Sequence, residues 1–328
     1  MPQLVSVLSV ASILLATLVV VIVTTPTPSS GAGTSDGTVY HANAAGTGVT
    51  TAIRSVATTS PKWCSRALDG ALSGESLVSG SDVYVATQND TVYALSAITG
   101  RVLWSRHLAR AVPSSALPRG NISPSPGISG TPVVDPARRE IFVVADEFLG
   151  GHPAHLLVGL NLANGALESN RRVDPPFADA SALLQRTGLT LDHASVVVGF
   201  GGNYGDCGAY QGHVVTIGES SGGPRFFAIG RTNGNREGAG WMGGAAPVVD
   251  AAGHIWVSVG NCSVTSNAQP YDDSDSVLEL SPADLLLQFF APTSWPQDNA
   301  SDADFSMAPV LLANGQVSFQ ASHRSSTY

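Results

Sequence analysis

The chain has 328 residues, 43% of them hydrophobic and 12% charged, and a formal net charge of −9. That hydrophobic share excludes an intrinsically disordered chain. Sixteen scattered Lys and Arg against 25 Asp and Glu exclude a nucleic-acid phosphate track, and 35 glycines with 20 prolines describe short strands joined by turns.

In chain order, Leu4 to Val23 comes first, an uncharged apolar run of 20 residues. About 20 residues of helix span a hydrocarbon core of roughly 30 Å. The run is longer than a secretory h-region of roughly 7–15 residues and lacks a positive n-region and a small-x-small cleavage site. Residues 1–24 are therefore predicted to form a hydrophobic N-terminal helix, either a transmembrane anchor or a cleaved signal peptide. The protein is expected to be extracytoplasmic, membrane-anchored through residues 4–23 or secreted. Residues 25–48, rich in Pro, Ser, Thr and Gly, read as a flexible linker. Residues 49–328 carry the folded domain.

That domain is built on an internal repeat. Five segments share an apolar strand, a tight polar turn and a second apolar strand. They are Leu77 to Ala86, Pro132 to Val144, Leu189 to Val198, Pro247 to Val257 and Pro309 to Phe319. The second strands begin at 83, 141, 196, 255 and 317, at spacings of 58, 55, 59 and 62 residues. A third strand follows in the first four repeats, at Thr91–Leu95, Leu156–Leu160, His213–Ile217 and Ser276–Leu280, and then a turn and a fourth stretch. Radially repeated four-stranded antiparallel units are propeller blades. The predicted fold is all-β: a β-propeller of four complete blades and a partial fifth. In such a meander alternate connections lie on opposite faces. The second-to-third loops (146–155, 199–212, 260–275) and the blade-to-blade connections (105–129, 231–244) are long and fall on one face, where binding residues are expected.

The stretch Val83-Tyr84-Val85-Ala86-Thr87-Gln88-Asn89-Asp90-Thr91-Val92-Tyr93-Ala94-Leu95, continued through Thr99-Gly100 to Trp104, resembles the pyrroloquinoline-quinone-type propeller repeat. Gly127 to Val133, Gly205-Asp206-Cys207-Gly208 and Asp275 to Leu278 look like secreted actinobacterial-type members with this repeat. The resemblance covers roughly residues 38–322 and implies that Thr-Gly makes a turn while Trp104 docks between blades. It weakens along the chain: Gly165 keeps the turn glycine, but Ser169 stands in the Trp position. The wider family closes with seven or eight blades, so the chain resembles a partial member. A quinoprotein dehydrogenase of this kind would bring a vicinal Cys pair, a tryptophan floor, a calcium held by Glu, Asn and Asp, and an Asp base. The three cysteines, Cys64, Cys207 and Cys262, include no vicinal pair. Trp241 and Asn261 are candidates for floor and ligand.

Further candidates come from the long loops. Tyr204, Asp206 and Tyr210 lie in a Gly-rich loop and are positioned to line a ligand mouth. Asp272, Asp273 and Asp275 offer the oxygen donors calcium prefers but lack EF-hand spacing, and read equally as a solvated acidic turn. His152 and His155 have H-x-x-H spacing with no element fixing their geometry. Gly218-Glu219-Ser220-Ser221-Gly222 matches G-x-S-x-G but sits in a strand-to-strand turn, where the hydrolase elbow needs a following helix. Cys207 and Cys262 occupy equivalent loops of adjacent repeats; a disulfide between them and three separate thiols both remain open. The expected function is non-catalytic binding of a small-molecule ligand or protein partner on the long-loop face, with no cofactor. The alternative is a quinoprotein-type oxidoreductase that uses pyrroloquinoline quinone (PQQ) with calcium.

Overall fold

The computed structural model describes residues 36–49, 61–119, 122–176, 178–203, 208–230, 236–240, 244–305, 307–312 and 317–318. Blade 1 is a meander of β1 (Leu77–Ser79), β2 (Asp82–Thr87), β3 (Thr91–Ser96) and β4 (Val102–His107). Blade 2 follows with β5 (Val133–Asp135), β6 (Glu140–Leu149), β7 (His152–Asn161) and β8 (Leu167–Arg172). Blade 3 adds a short β9 (Leu183–Leu184) to β10 (Thr190–Asp192), β11 (Ser195–Gly202), β12 (His213–Gly218) and β13 (Arg225–Ala228). Blade 4 holds β14 (Val248–Val249), β15 (Ile255–Val259), β16 (Ser276–Leu280) and β17 (Leu286–Phe290). A two-stranded piece of a fifth, β18 (Val310–Leu311) and β19 (Val317–Ser318), comes after a short helix α1 (Trp295–Ala300). All of these strand pairs are antiparallel, and the four complete blades and partial fifth predicted from the repeat are present.

The pleat explains the sequence pattern. Alternate residues of a strand face opposite sides, and a blade has a neighbour on each side. Ile141, Val143 and Ala145 of β6 therefore pack with Tyr84, Val92 and Ala94 of blade 1. The intervening Phe142 and Val144 pack with Val196, Val198 and Ile217 of blade 3. Val197 and Val214 face Ile255, Val257 and Leu278 of blade 4 in the same way. Strands covered on both faces read as continuous apolar runs rather than alternating ones. The outer strands β4 and β8 are largely exposed and correspondingly polar.

One contact recurs on blades 1 to 4 on the short-turn face. The indole Nε1 of Trp104 donates to Leu162 O at 2.8 Å, and its ring lies over Gly165, where an added Cβ would sit 2.6 Å from Trp104 Cε3. Gly165 also has a φ of +67°, so a side chain there is both strained and obstructed. Trp63 repeats the arrangement on blade 1: Nε1 donates to Ala97 O at 2.9 Å above Gly100. In later blades the Trp is lost but the contact is kept. Arg171 Nη2 donates to Glu219 O at 3.1 Å, and Arg225 Nη2 donates to Pro282 O at 2.9 Å while its Nε pairs with Asp284 at 2.8 Å. Ala97, Leu162 and Glu219 each stand one residue past the end of a third strand, and Pro282 stands two past. Ser169, where the repeat would place a tryptophan, pairs across the strands with Gly159, at which an added Cβ would sit 2.6 Å from the Ser169 hydroxyl.

Two expectations are corrected. Residues 36–48 of the linker are part of the propeller. Val78, Val134, Val249 and Leu311, one on each first strand of blades 1, 2, 4 and 5, donate their amides to the carbonyls of Gly37, Thr38, Ala44 and Ala45 at 2.8–3.0 Å. Val39 is buried in the core between blades 2 and 3. First strands expose an unpaired ladder edge, and this segment supplies the partner. Residues 146–155 are likewise not a loop: β6 and β7 pair through Leu149 and His152, closed by Gly150-Gly151 with both φ values positive, 59° and 89°. The predicted anchor or signal, residues 1–24, lies outside the described residues. Among the described residues no helix is long and apolar enough to cross a membrane.

Replacing Trp104 with Ala removes the ring over Gly165 and should cost about 3 kcal/mol, the low end for a buried Trp because this ring is half-exposed. Leu162 O keeps the Tyr84 hydroxyl at 3.3 Å, so no carbonyl is orphaned. Urea unfolding followed by tryptophan fluorescence and circular dichroism measures the loss.

Candidate functional site

The long-loop face is built mainly by blades 3 and 4. The loop after β11, the connection that follows β13 and the loop after β15 are laced together by bridges from Gln211 to Glu237 and from Glu237 to Cys262. Helix α1 is stapled onto the loop after β15 through Asn299, whose Nδ2 donates to Cys262 O at 2.9 Å, to Ser274 Oγ at 3.1 Å and to Val264 O. This buried amide ties α1 to three positions of the loop after β15, and with the bridges it makes the face a fixed surface. From Thr265 to Pro270 the chain runs exposed across its rim.

The three acidic candidates separate. Asp272 is buried and spent on the loop: its carboxylate accepts the Val264 amide at 2.9 Å and the Ser274 hydroxyl at 2.6 Å. Asp273 accepts the Gly230 amide at 3.0 Å and so ties blade 3 to blade 4. Asp275 is buried with neither carboxylate oxygen hydrogen-bonded. Burial, and then the charges of Asp304, Asp298, Asp272 and Asp302, push its pKa up to about 8. Asn261, at the start of the same loop, donates its amide N–H to Asp304 Oδ1 at 3.0 Å and its Nδ2 to Asp302 Oδ1 at 2.9 Å, leaving its Oδ1 buried and unpaired.

Of the remaining candidates, Tyr210 is buried, its ring against Gly202, and contributes to the core rather than to a mouth. Tyr204, Asp206 and Trp241 lie outside the described residues, as does Cys207. Cys262 carries a free, buried thiol beside Gly238. The H-x-x-H pair is split by the pleat of β7: His152 is exposed, while His155 is fully buried. The G-x-S-x-G match is the turn between β12 and β13, with no helix after it.

Sequence reasoning missed Asp298, Asp302 and Asp304. Their signal was the run Asp298-Asn-Ala-Ser-Asp302-Ala-Asp304, acids in a short segment flanked by apolar residues. It also missed a buried network at the junction of blades 1 and 2. Asp90, in the β2–β3 turn, has both oxygens buried and unpaired, and burial with the charges of Asp146 and Glu147 pushes its pKa up to about 9. His155 bonds Asp174 at 2.7 Å and lies 3.8 Å from Asp146. Burial opposes its protonation, but the two carboxylates together hold its pKa above the ordinary value.

Residues 21–258 match the family model described as outer membrane protein assembly factor BamB. The chain belongs to this family. No curated protein matches it significantly. Among solved structures, the quinohemoprotein alcohol dehydrogenase of Comamonas testosteroni is similar at a TM-score of 0.61 and 15% identity, over 88% of this chain and 46% of that one. A europium-containing methanol dehydrogenase is similar at a TM-score of 0.53 and 14% identity, over 87% of this chain and 54% of that one. At these identities the likeness shows the fold, and the chain spans about half the length of those neighbours. The family match and these neighbours bear out the pyrroloquinoline-quinone-type repeat.

Asp275 and Asn261 Oδ1 are buried, unpaired oxygen donors amid further carboxylates, the chemistry a hard cation such as calcium takes. The quinone fits less well: no two cysteines are adjacent in the sequence, and Cys262 is isolated in the core.

A carboxylate whose folded-state pKa lies above the ordinary value of about 3.9 leaves stability intact below that value and loses it as pH rises through the raised one. Asp275 should therefore destabilise the cation-free fold progressively from pH 4 to about pH 8. Melting curves in EDTA should show Asp275→Asn several degrees more stable than the parent at pH 8, with the gap closing near pH 4.

Proposed function

We propose that the chain is a non-catalytic extracytoplasmic propeller that binds a protein partner or ligand on its long-loop face. The observation that carries this reading is the bracing of that face: the Gln211–Glu237–Cys262 bridges and the Asn299 staple fix loops from two blades and α1 into one surface. A prefixed surface binds without the cost of ordering its loops. Asp272 and Asp273 cap backbone amides there, which is a bracing role rather than proton transfer. Membership of a family described by an outer-membrane assembly factor supports both the extracytoplasmic location and a binding role.

A second reading is a quinone-dependent oxidoreductase, favoured by the unpaired oxygens of Asp275 and Asn261. In that case Asn261 and Asp275, with Asp304 beside them, would hold calcium, and the bound quinone would supply the electron acceptor. This chain's own residues would then position the cation and exclude water, since both donors are buried.

Two measurements decide between the readings. A photo-crosslinking residue at Asn267, on the exposed rim, should yield a discrete adduct in the producing cell, whereas one at Ser221, on the short-turn face, should not. The purified chain incubated with pyrroloquinoline quinone and calcium should reduce no dye with alcohol substrates. Quinone-dependent turnover would establish the second reading, and equal labelling from both positions would remove the long-loop face as the binding surface.

A further inference from the structure

On the opposite, short-turn face, blade 4 carries three donor side chains that neither reading uses. His254 Nδ1 lies 3.1 Å from Asp250 Oδ2 and 2.9 Å from Glu279 Oε1, and the three donor atoms all lie within 4.8 Å of one another. Each carboxylate is oriented by its other oxygen. Asp250 Oδ1 accepts the amides of Ala252 and His254 at 2.8 and 2.9 Å, in a turn that Gly253 permits with a φ of +81°. Glu279 Oε2 accepts Gln288 Nε2 from β17. The oxygens left over both point at a single ring nitrogen.

Hydrogen bonding satisfies this arrangement poorly. Nδ1 carries at most one hydrogen, which cannot align with two oxygens at once, and without that hydrogen three lone pairs face one another. A divalent cation placed between them makes all three donors ligands. We propose that Asp250, His254 and Glu279 form a binding site for a zinc-class divalent cation. The donor set selects the metal: an imidazole nitrogen with two carboxylates suits zinc and its first-row neighbours, while magnesium and calcium take oxygen alone. Metal–ligand distances of about 2.0–2.2 Å imply tetrahedral donor separations near 3.4 Å, a few tenths of an ångström wider than those present. Asp250 and His254 are about one-third exposed and Glu279 side chain is 8% exposed, so the fourth position opens to solvent. Gln288 and the turn amides supply the outer hydrogen bonds that orient metal ligands. An ion here clips the β14–β15 turn to β16.

Isothermal titration of the EDTA-stripped full chain with zinc chloride tests this. The parent should show a saturable zinc-binding event, unaffected by millimolar magnesium, together with a rise in melting temperature. His254→Ala and Glu279→Gln should each abolish that event and the thermal shift, and Gln288→Leu should weaken it about tenfold. The chain has eight histidines, so only heat that disappears in these variants counts. His254 is partly exposed, and circular dichroism should show its variant folded even if Glu279→Gln is not. Absence of saturable binding by the parent, or unchanged affinity in folded His254→Ala, overturns the proposal.

Discussion

The four complete blades depend on one carbonyl each. A residue one or two positions past each third strand turns its C=O toward the preceding blade, and a long donor side chain from that direction reaches it. Trp63 and Trp104 supply an indole N–H; Arg171 and Arg225 supply a guanidinium. Backbone geometry fixes the acceptor, so what selection must keep is a donor of sufficient reach, not one residue type. Indole brings a large apolar face and needs a glycine beneath it, which Gly100 and Gly165 provide. Guanidinium brings a planar fork, so Arg225 bonds Pro282 O and Asp284 together. The two solutions are not interchangeable piecemeal, because the turn and the donor change as a unit.

This pairing explains where the sequence was transparent and where it was opaque. Strand positions were readable through Val143, Val197 and Val257, because burial on both faces imposes apolar runs at a fixed spacing. The repeat signature was readable in blade 1, where indole and glycine coexist. Its loss at Ser169 looked like decay of the interface, yet Arg171 two residues on makes the equivalent contact. A same-face neighbour on a strand is two positions away, so the substitute was accessible to a search for donors rather than for tryptophan.

The loops and the linker were less legible, for a different reason. Gly150-Gly151 is a two-residue hairpin signal inside what reads as a long loop, and the strands on either side simply continue through it. Residues 36–48 have the composition of a tether. Their order comes from the unpaired edges of first strands supplied by sequence as distant as Leu311, and no local pattern encodes such a partner. The same holds for the acidic site. Asp275 alone is one of three neighbouring aspartates, and only the approach of Asp302 and Asp304 to Asn261, some forty residues away, distinguishes it from the two that cap amides.

Burying charge on a braced surface has a cost that identifies its purpose. Asp272 and Asp273 are compensated by backbone N–H groups, and the loop is more ordered for it. Asp275 and Asp90 have no such compensation, and an uncompensated buried carboxylate is held either by taking up a proton or by meeting a cation. The two differ in surroundings. Asp90 sits in a tight turn against Asp146, whose own charge is balanced by His155, within a network closed off by the blade 1–blade 2 core. Protonation relieves Asp90 without any exogenous partner. Asp275 instead lies among the charges of Asp304 and Asp302, to which Asn261 also bonds, and Asn261 keeps an unpaired Oδ1, a neutral oxygen that cannot be relieved by a proton at neutral pH. A cation would relieve a neutral oxygen as well as a carboxylate, whereas a proton relieves the carboxylate alone, and that is the physical difference between the blade 4 loop and the equally buried acid in blade 1.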